Sequence, residues 1–277
     1  MGTLIVAAAP IGNYGDATLR LKEAIRSASF VAAEDSRKFA RLCGDLEVEC
    51  KAKVISFFEG NERERLVELE RALNEHDYVL LITDSGMPGV SDPGYRAIML
   101  ALEKNSQVKV LPGASAVTAA LILSGLPTDR FAFEGFAPRT DNARDNFFEE
   151  LVQEERTLIF FEAPHRVEAF LNSALRSFGS QRRGAICREM TKTYEEIKRG
   201  TLQELFDWSR SKEMLGEFTI VIAGFNPSEV IHSDLEIADL VKRYESAGIS
   251  RKEAITTVAK ELAIAKRAVF DIMVAHK

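Results

Sequence analysis

The stretch Ile82-Thr-Asp-Ser-Gly-Met-Pro-Gly-Val-Ser-Asp-Pro-Gly94 ends an apolar run, Tyr78–Thr83, and opens at once into small and turn-forming residues. Val6-Ala-Ala-Ala-Pro-Ile-Gly-Asn13 does the same near the start, as do Val110-Leu-Pro-Gly-Ala-Ser-Ala116 and Ile159-Phe-Phe-Glu-Ala-Pro-His-Arg166. In an open α/β sheet ligands bind beyond the carboxyl ends of the strands, where such loops converge. Small residues let backbone N–H and C=O groups come close to a ligand, and proline fixes the turn while removing a donor. The chain reads as built around one small-molecule crevice.

Working outward, strand-like and helix-like patterns alternate. Strands are expected at Leu4–Ala8, Phe30–Ala33, Lys53–Phe57, Tyr78–Thr83 and Val108–Leu111. Between them fall a helix capped by Asp16, then helices at Ser36–Cys43, Glu62–Glu75 and Pro93–Glu103. Strands spaced by helices of this length predict βαβ units and a parallel sheet. The second half predicts an Ala-rich helix to Ser124, strands at Phe131–Phe133 and Thr157–Phe161, and helices at Arg144–Glu154 and Arg166–Phe178. Strands Gly184–Arg188 and Glu195–Arg199 follow one another with no helix between, which predicts a mixed sheet, before helix Leu202–Arg210 and strand Phe218–Ala223. The fold class is α/β: two α/β domains, 1–111 and 112–228, face each other across an interdomain cleft.

Residues 229–277 differ. Ser233–Glu236 and Ser250–Glu253 match the S-x-x-E capping box, and Gly248 separates two helical stripes. With a third helix at Lys266–Ala275 this gives a small helix-turn-helix-like extension, or else a plain helical cap on the core.

At 277 residues and 46% hydrophobic content the chain can bury a full core. No apolar stretch approaches the roughly 20 residues that cross a bilayer, and MGTLIVAAAP reads as a first strand rather than a leader. Cys43, Cys50 and Cys187 have neither metal nor redox spacing. A soluble cytoplasmic protein with no metal and no membrane partner is expected. The net charge of −6 argues against nonspecific nucleic-acid binding, although the tail from Ser233 carries 8 Lys/Arg against 7 Asp/Glu. G-x-G-x-x-G, the P-loop, H-E-x-x-H and G-x-S-x-G are all absent. A crevice with no nucleophile or metal motif suits group transfer from a bound cosubstrate, where positioning does most of the work.

Asp84–Gly94 either wraps a polar ligand with the backbone of Ser85–Val90 or is a long turn whose Asp92 caps the next helix. Glu34-Asp35-Ser36-Arg37 is either a helix cap or a carboxylate and guanidinium at the ligand's edge. His165 and Arg166 start a helix, or serve proton transfer and phosphate binding. Arg188, Lys192, Lys198 and Arg199 are a solvated hairpin or a basic rim.

Taken together, APIGN (Ala9–Asn13), AAEDSR (Ala32–Arg37), DSGMPGVSDPG (Asp84–Gly94), PGASA (Pro112–Ala116), SGLPTDRF (Ser124–Phe131), GFAPR (Gly135–Arg139), EAPHR (Glu162–Arg166), REMTKTYEE (Arg188–Glu196) and GEFTIVIAG (Gly216–Gly224) resemble the ribosomal small-subunit RNA cytidine 2′-O-methyltransferases of the tetrapyrrole-methylase superfamily. The resemblance implies a homodimer that binds S-adenosylmethionine in the cleft and methylates a cytidine of 16S rRNA in the decoding region of the small subunit. By carry-over, Pro10, Asp84, Ser85, Gly86, Met87, Val90, Ser115, Ala116, Phe161, Ala163 and Met190 line the cosubstrate site. Asn13, His165, Arg166 and Glu195 face the RNA. Glu34 or Asp35 serves as base, with Arg37 and Lys192 on phosphate or alkoxide, and the tail grips RNA. Four positions in three motifs depart from the family pattern: Ala9 and Met87 replace threonines, and Phe58 and Gly60 replace both histidines of an H-E-H-N-E run. A tetrapyrrole methyltransferase shares the cosubstrate site but needs a deep apolar macrocycle pocket. A non-catalytic helix-turn-helix nucleic-acid-binding module is the remaining reading.

Overall fold

Residues 1–226, 234–262 and 265–276 are described by a computed structural model. The first sheet contains β1 (Thr3–Ala7), β2 (Phe30–Ala33), β3 (Lys53–Ser56), β4 (Tyr78–Ile82) and β5 (Val108–Leu111), in the order β3-β2-β4-β1-β5. Every pairing in it is parallel. Parallel neighbours need crossover connections, and α1 (Leu19–Ser27), α2 (Ser36–Asp45), α3 (Glu62–Glu75) and α4 (Tyr95–Glu103) supply them. Leu21, Ile25, Phe39 and Leu42 pack on one face of this sheet, and Leu69, Leu73, Ala97 and Ala101 pack on the other. Its strands are accordingly apolar on both faces.

After α5 (Ala116–Ser124) comes the second sheet: β6 (Phe131–Phe136), β7 (Thr157–Glu162), β8 (Arg183–Arg188), β9 (Glu196–Thr201) and β10 (Phe218–Ile222), in the order β6-β7-β10-β8-β9. Only β6–β7 is parallel, so the sheet is mixed as expected. Its strands are flanked by α6 (Asp141–Glu150), α7 (Val167–Phe178) and α8 (Leu202–Arg210). Phe148, Phe160, Phe170 and Phe178 build an edge-to-face and tilted aromatic core on one side, and α5 covers the other through Val117, Ala120 and Leu121. Residues 1–152 and 156–223 form one compact unit that holds both sheets.

Several boundaries move from their expected places. Asp16 closes a 3-10 turn, and Thr18 caps α1 by accepting the N–H of Leu21 at 3.1 Å. Asp92 caps nothing, because α4 begins at Tyr95 after Gly94, whose N–H donates instead to Glu62 Oε1 at 3.1 Å. The helix expected at Arg144–Glu154 starts one turn earlier, at Asp141, and ends at Glu150. Arg166 closes a 3-10 turn ahead of α7.

A second unit is formed by α9 (Asp234–Ser246), α10 (Arg251–Glu261) and α11 (Lys266–Ala275) around Ile237, Val241, Ile255, Val258, Val269 and Met273. Gly248 makes the break between α9 and α10 at φ +90°, a conformation that a side chain strains. Ser250 caps α10 by accepting the Glu253 N–H; the other capping box begins at Ser233, outside the described residues. Among the described residues no helix is long and apolar enough to cross a membrane.

Candidate active site

The loops after β1 and β4 meet where the strand order reverses, the position at which open α/β sheets bind ligands. They are stitched by paired backbone bonds, Ala9 N–H to Gly86 O at 2.8 Å and Gly86 N–H to Ala9 O at 3.1 Å. The threonine-to-alanine departure at Ala9 leaves this contact intact, since it belongs to the main chain. Gly86 sits at φ +68°, and a Cβ on Gly113 would stand 2.9 Å from the Ala8 Cβ, so glycine lets the loop after β5 close against β1.

These loops and the end of β7 enclose a small crevice walled by Ile11, Ser85, Gly86, Met87, Val90, Asp92, Ser115, Ala116, Val117 and Phe161. Seven residues expected at a cosubstrate are among them. Pro10, Asp84, Ala163 and Met190 are not. Met190 is buried in the core behind Phe161, and the Ala163 N–H donates to Glu162. Asp84 accepts the Asp35 N–H at 3.2 Å and pairs with Lys38 at 2.8 Å, so it ties the ends of β2 and β4 together. Sequence reading missed Ile11, Asp92 and Val117; the first and last are direct neighbours of expected residues.

Beside the crevice lies a larger groove lined by Glu34, Phe58, Glu59, Arg63, Asp92, Tyr95 and Arg96, among others. Phe58 is 46% exposed and Tyr95 67%, so both rings are accessible from the groove. Glu34 accepts the Asp84 N–H at 3.1 Å; burial nevertheless lifts its carboxyl above the ordinary value. Asp35 caps α2 and is clamped by Arg37, whose hydrogen bonds hold it far below the usual carboxylate range. It is a poor proton acceptor. Asp92 is pushed up to about 7, first by burial and then by the charges of Glu34, Asp84 and Glu217.

The other expected substrate residues are dispersed. Asn13 and Lys192 share a shallow depression, where the Asn13 N–H donates to Thr191 Oγ1. Lys192 is gripped by Glu189 at 2.9 Å and Glu217 at 3.0 Å; burial opposes its charge, yet these bonds hold its pKa above the ordinary value. Glu195 braces that turn by accepting the Thr191 N–H. His165 is exposed, whereas Arg166 is tied to the carbonyls of Ala137 and Pro138.

The lining of the crevice has the chemistry that S-adenosylmethionine calls for. Apolar Ile11, Met87 and Phe161 suit a flat heterocycle, and the nearby carboxylates suit a sulfonium and an ammonium. Ser115 makes no capping bond, which leaves the first N–H groups of α5 free for an acceptor. Among the described residues no group of three or more His, Cys, Asp or Glu is arranged for a metal.

The family model of tetrapyrrole (corrin/porphyrin) methylases matches residues 3–205. Fold and family together define an S-adenosylmethionine-dependent methyltransferase. The fold is shared with the uroporphyrin-III C-methyl transferase of Thermus thermophilus complexed with S-adenyl homocysteine (TM-score 0.56, 18% identity, 80% of this chain and 97% of that one). Diphthine synthase aligns similarly (TM-score 0.59, 17% identity, 80% and 90%). Sequence relatives carry the name ribosomal RNA small subunit methyltransferase I. That of Mycobacterium tuberculosis H37Rv is 43% identical over 93% of this chain and 89% of its own length, and that of Bacillus subtilis 35% identical over 98% and 94%. The chain belongs to the ribosomal RNA small subunit methyltransferase I family.

Proposed function

We propose that this enzyme methylates the ribose 2′-oxygen of a cytidine in the decoding region of 16S rRNA, acting as a cytoplasmic homodimer on the small ribosomal subunit. The observation that carries the reading is the 43% identity to a relative of that family along nearly the whole chain. The site agrees with it. A groove lined by two exposed aromatic rings, Phe58 and Tyr95, suits a base splayed out of its strand, which is how RNA is read in single-stranded segments. Among the described residues Arg63 has no ion-pair partner and is free to meet phosphate. Exposed Leu102, Val110, Ile122 and Phe136 offer apolar surface to a second copy.

Bound S-adenosylmethionine supplies an electrophilic methyl on sulfur. Ser85–Met87, Val90, Ser115, Ala116 and Phe161 orient it, while Pro10, Asp84, Ala163 and Met190 support the walls. Glu34 borders the acceptor side, with Arg37, Asn13, His165, Lys192 and Glu195 at more distant points of RNA contact and Arg166 holding the loop beneath. Tritium transfer from labelled cosubstrate tests the reading. Label is expected in small-subunit RNA as 2′-O-methylcytidine; label in a porphyrin precursor overturns it in favour of a tetrapyrrole substrate. Calorimetry without any cosubstrate binding would leave only a binding module.

In the helical unit, Arg251, Lys252, Lys266 and Arg267 surround an apolar hollow floored by Ile255 and Phe270. It suits RNA, with cations for phosphate and a 54% exposed Phe270 for a base. Reversing Lys252, Lys266 and Arg267 to Glu is expected to reduce the slope of log affinity for small subunits against log salt by about 2–3, since each lost phosphate contact removes ~0.7–0.9. Cosubstrate affinity should stay unchanged by calorimetry.

A further inference from the structure

Methyl transfer needs the acceptor's proton removed at the place where donor and acceptor meet. The donor crevice and the acceptor groove have one lining residue in common among the described residues, and it is Asp92. Its surroundings set it apart from the three carboxylates at the ends of β2 and β4. Glu34 accepts the Asp84 N–H, Asp84 is paired with Lys38, and Asp35 is clamped by Arg37. Among the described residues Asp92 has neither a hydrogen bond nor an ion pair. Its backbone is fixed on both sides, by Ser91 at φ +63° and by Pro93. A non-glycine residue held in that region marks strain that the surrounding structure maintains, a frequent accompaniment of functional sites.

We propose that Asp92 is the general base of the transfer, taking the proton of the acceptor hydroxyl at the junction of crevice and groove. The identity of the acceptor as a ribose 2′-hydroxyl rests on the reading given above. In the step, the O–H bond breaks and its proton goes to the Asp92 carboxylate. The oxygen pair forms the new O–C bond to the methyl carbon, and the C–S pair remains on sulfur, which becomes a neutral thioether. Asp92 then returns its proton to solvent through the groove. Burial and the charges of Glu34, Asp84 and Glu217, partly offset by Lys38 on Asp84 and Lys192 on Glu217, bring its basicity to about neutrality. That is where a general base combines availability with strength. The aspartate reads locally as a helix cap, and the structure frees it from that role by giving the Gly94 N–H to Glu62.

The test uses the full-length enzyme with Asp92→Asn and Asp92→Glu, small ribosomal subunits and tritiated S-adenosylmethionine. Single-turnover transfer by the wild type should rise with pH through a midpoint near pH 7 and level off above it. Asp92→Asn should lose about 100-fold or more and lose that rising limb, and Asp92→Glu should recover part of both. A second readout needs no turnover. The ratio of affinities for S-adenosylmethionine and for its uncharged-sulfur product should increase across pH 7 in the wild type, as the carboxylate ionises beside the sulfonium, and be flat in Asp92→Asn. The same variant should melt a few degrees higher than wild type at pH 8 and equally at pH 4, which verifies its fold. The folded-state pKa lies above the ordinary aspartate value, so the ionised group costs stability that grows as pH rises between the two. Transfer by Asp92→Asn within twofold of wild type with the limb intact overturns the proposal, as does a pH-independent affinity ratio in the wild type. Wild-type label on a nucleobase or a tetrapyrrole overturns the ribose reading instead, and the loss in Asp92→Asn on that acceptor still assigns the base.

Discussion

Ala116→Phe should bind S-adenosylmethionine at least ~100-fold more weakly than wild type in calorimetry, a loss of about 3 kcal/mol. Ala116 opens α5 and lines the crevice together with Ser85–Met87 and Val90, where the cavity volume is only about 50 Å3. A phenyl ring there occupies the volume the cosubstrate needs and covers the free N–H groups of the first turn. The neighbouring Val117 is turned into the core and is 7% exposed, whereas Ala116 is only partly buried. The added ring therefore projects into open space, and the melting temperature should stay within a few degrees. Ala116→Ser, which adds one small polar atom, should bind within a few-fold of wild type. Unchanged affinity in the phenylalanine variant would place the cosubstrate elsewhere, and with it the whole crevice assignment.

The sequence is informative about this site wherever its chemistry is carried by the backbone. Small residues after β1, β4 and β5 announce loops that approach one another, and the Ala9–Gly86 pairing and the tight Gly113–Ala8 approach are the direct result. The alternation of strands and helices likewise carries the parallel first sheet, and the adjacency of two strands carries the mixed second one. Side-chain partnerships are different, because they join residues far apart in the chain. Nothing local in Glu34-Asp35-Ser36-Arg37 says that Glu34 accepts from residue 84 while Asp35 turns back to Arg37. Lys192 reads as a free cation in a basic hairpin, yet Glu217, on the adjacent strand's approach, neutralises it. Asp92 hides for the complementary reason: its sequence context offers a capping role that a distant glutamate takes over. Thr18 displaces Asp16 as the cap of α1 because the intervening residues form a 3-10 turn first, a boundary effect of two residues. In the EAPHR loop the strand delivers Phe161 to the crevice, while the arginine turns to Glu162 and to the Ala137 and Pro138 carbonyls, partners its sequence context does not announce.

Arg166→Met should cost ~3–4 kcal/mol of stability, the scale set by removing one partner of a buried ion pair, or on the order of 10 °C in melting temperature for a chain of this size. The Glu162 side chain is fully buried at 0% exposure and Arg166 is 15% exposed, with Nε 3.2 Å from Oε1. That distance gives an ion pair, although Nε is angled away from a true hydrogen bond and Glu162 Oε2 has no partner among the described residues. Without Arg166 the carboxylate remains in the interior with only the Ala163 N–H at 2.8 Å, and the Ala137 and Pro138 carbonyls lose their donor. Burial already raises the Glu162 pKa against the pull of Arg166, so removing the arginine raises it further. The ionised form then costs stability above the ordinary carboxylate range, and the deficit should be larger at pH 8 than at pH 5. Glu162→Leu combined with Arg166→Met should recover part of the loss, since no charge is then stranded. The damage should also reach the crevice. Glu162 ends the strand that carries Phe161, whose ring is fixed by Phe133 at 4.8 Å and Phe136 at 5.9 Å. Cosubstrate affinity at a permissive temperature should therefore fall in step with stability. A direct role for Arg166 on RNA makes the opposite forecast, with small-subunit affinity lost while melting temperature and cosubstrate affinity hold, and thermal denaturation beside calorimetry separates the two.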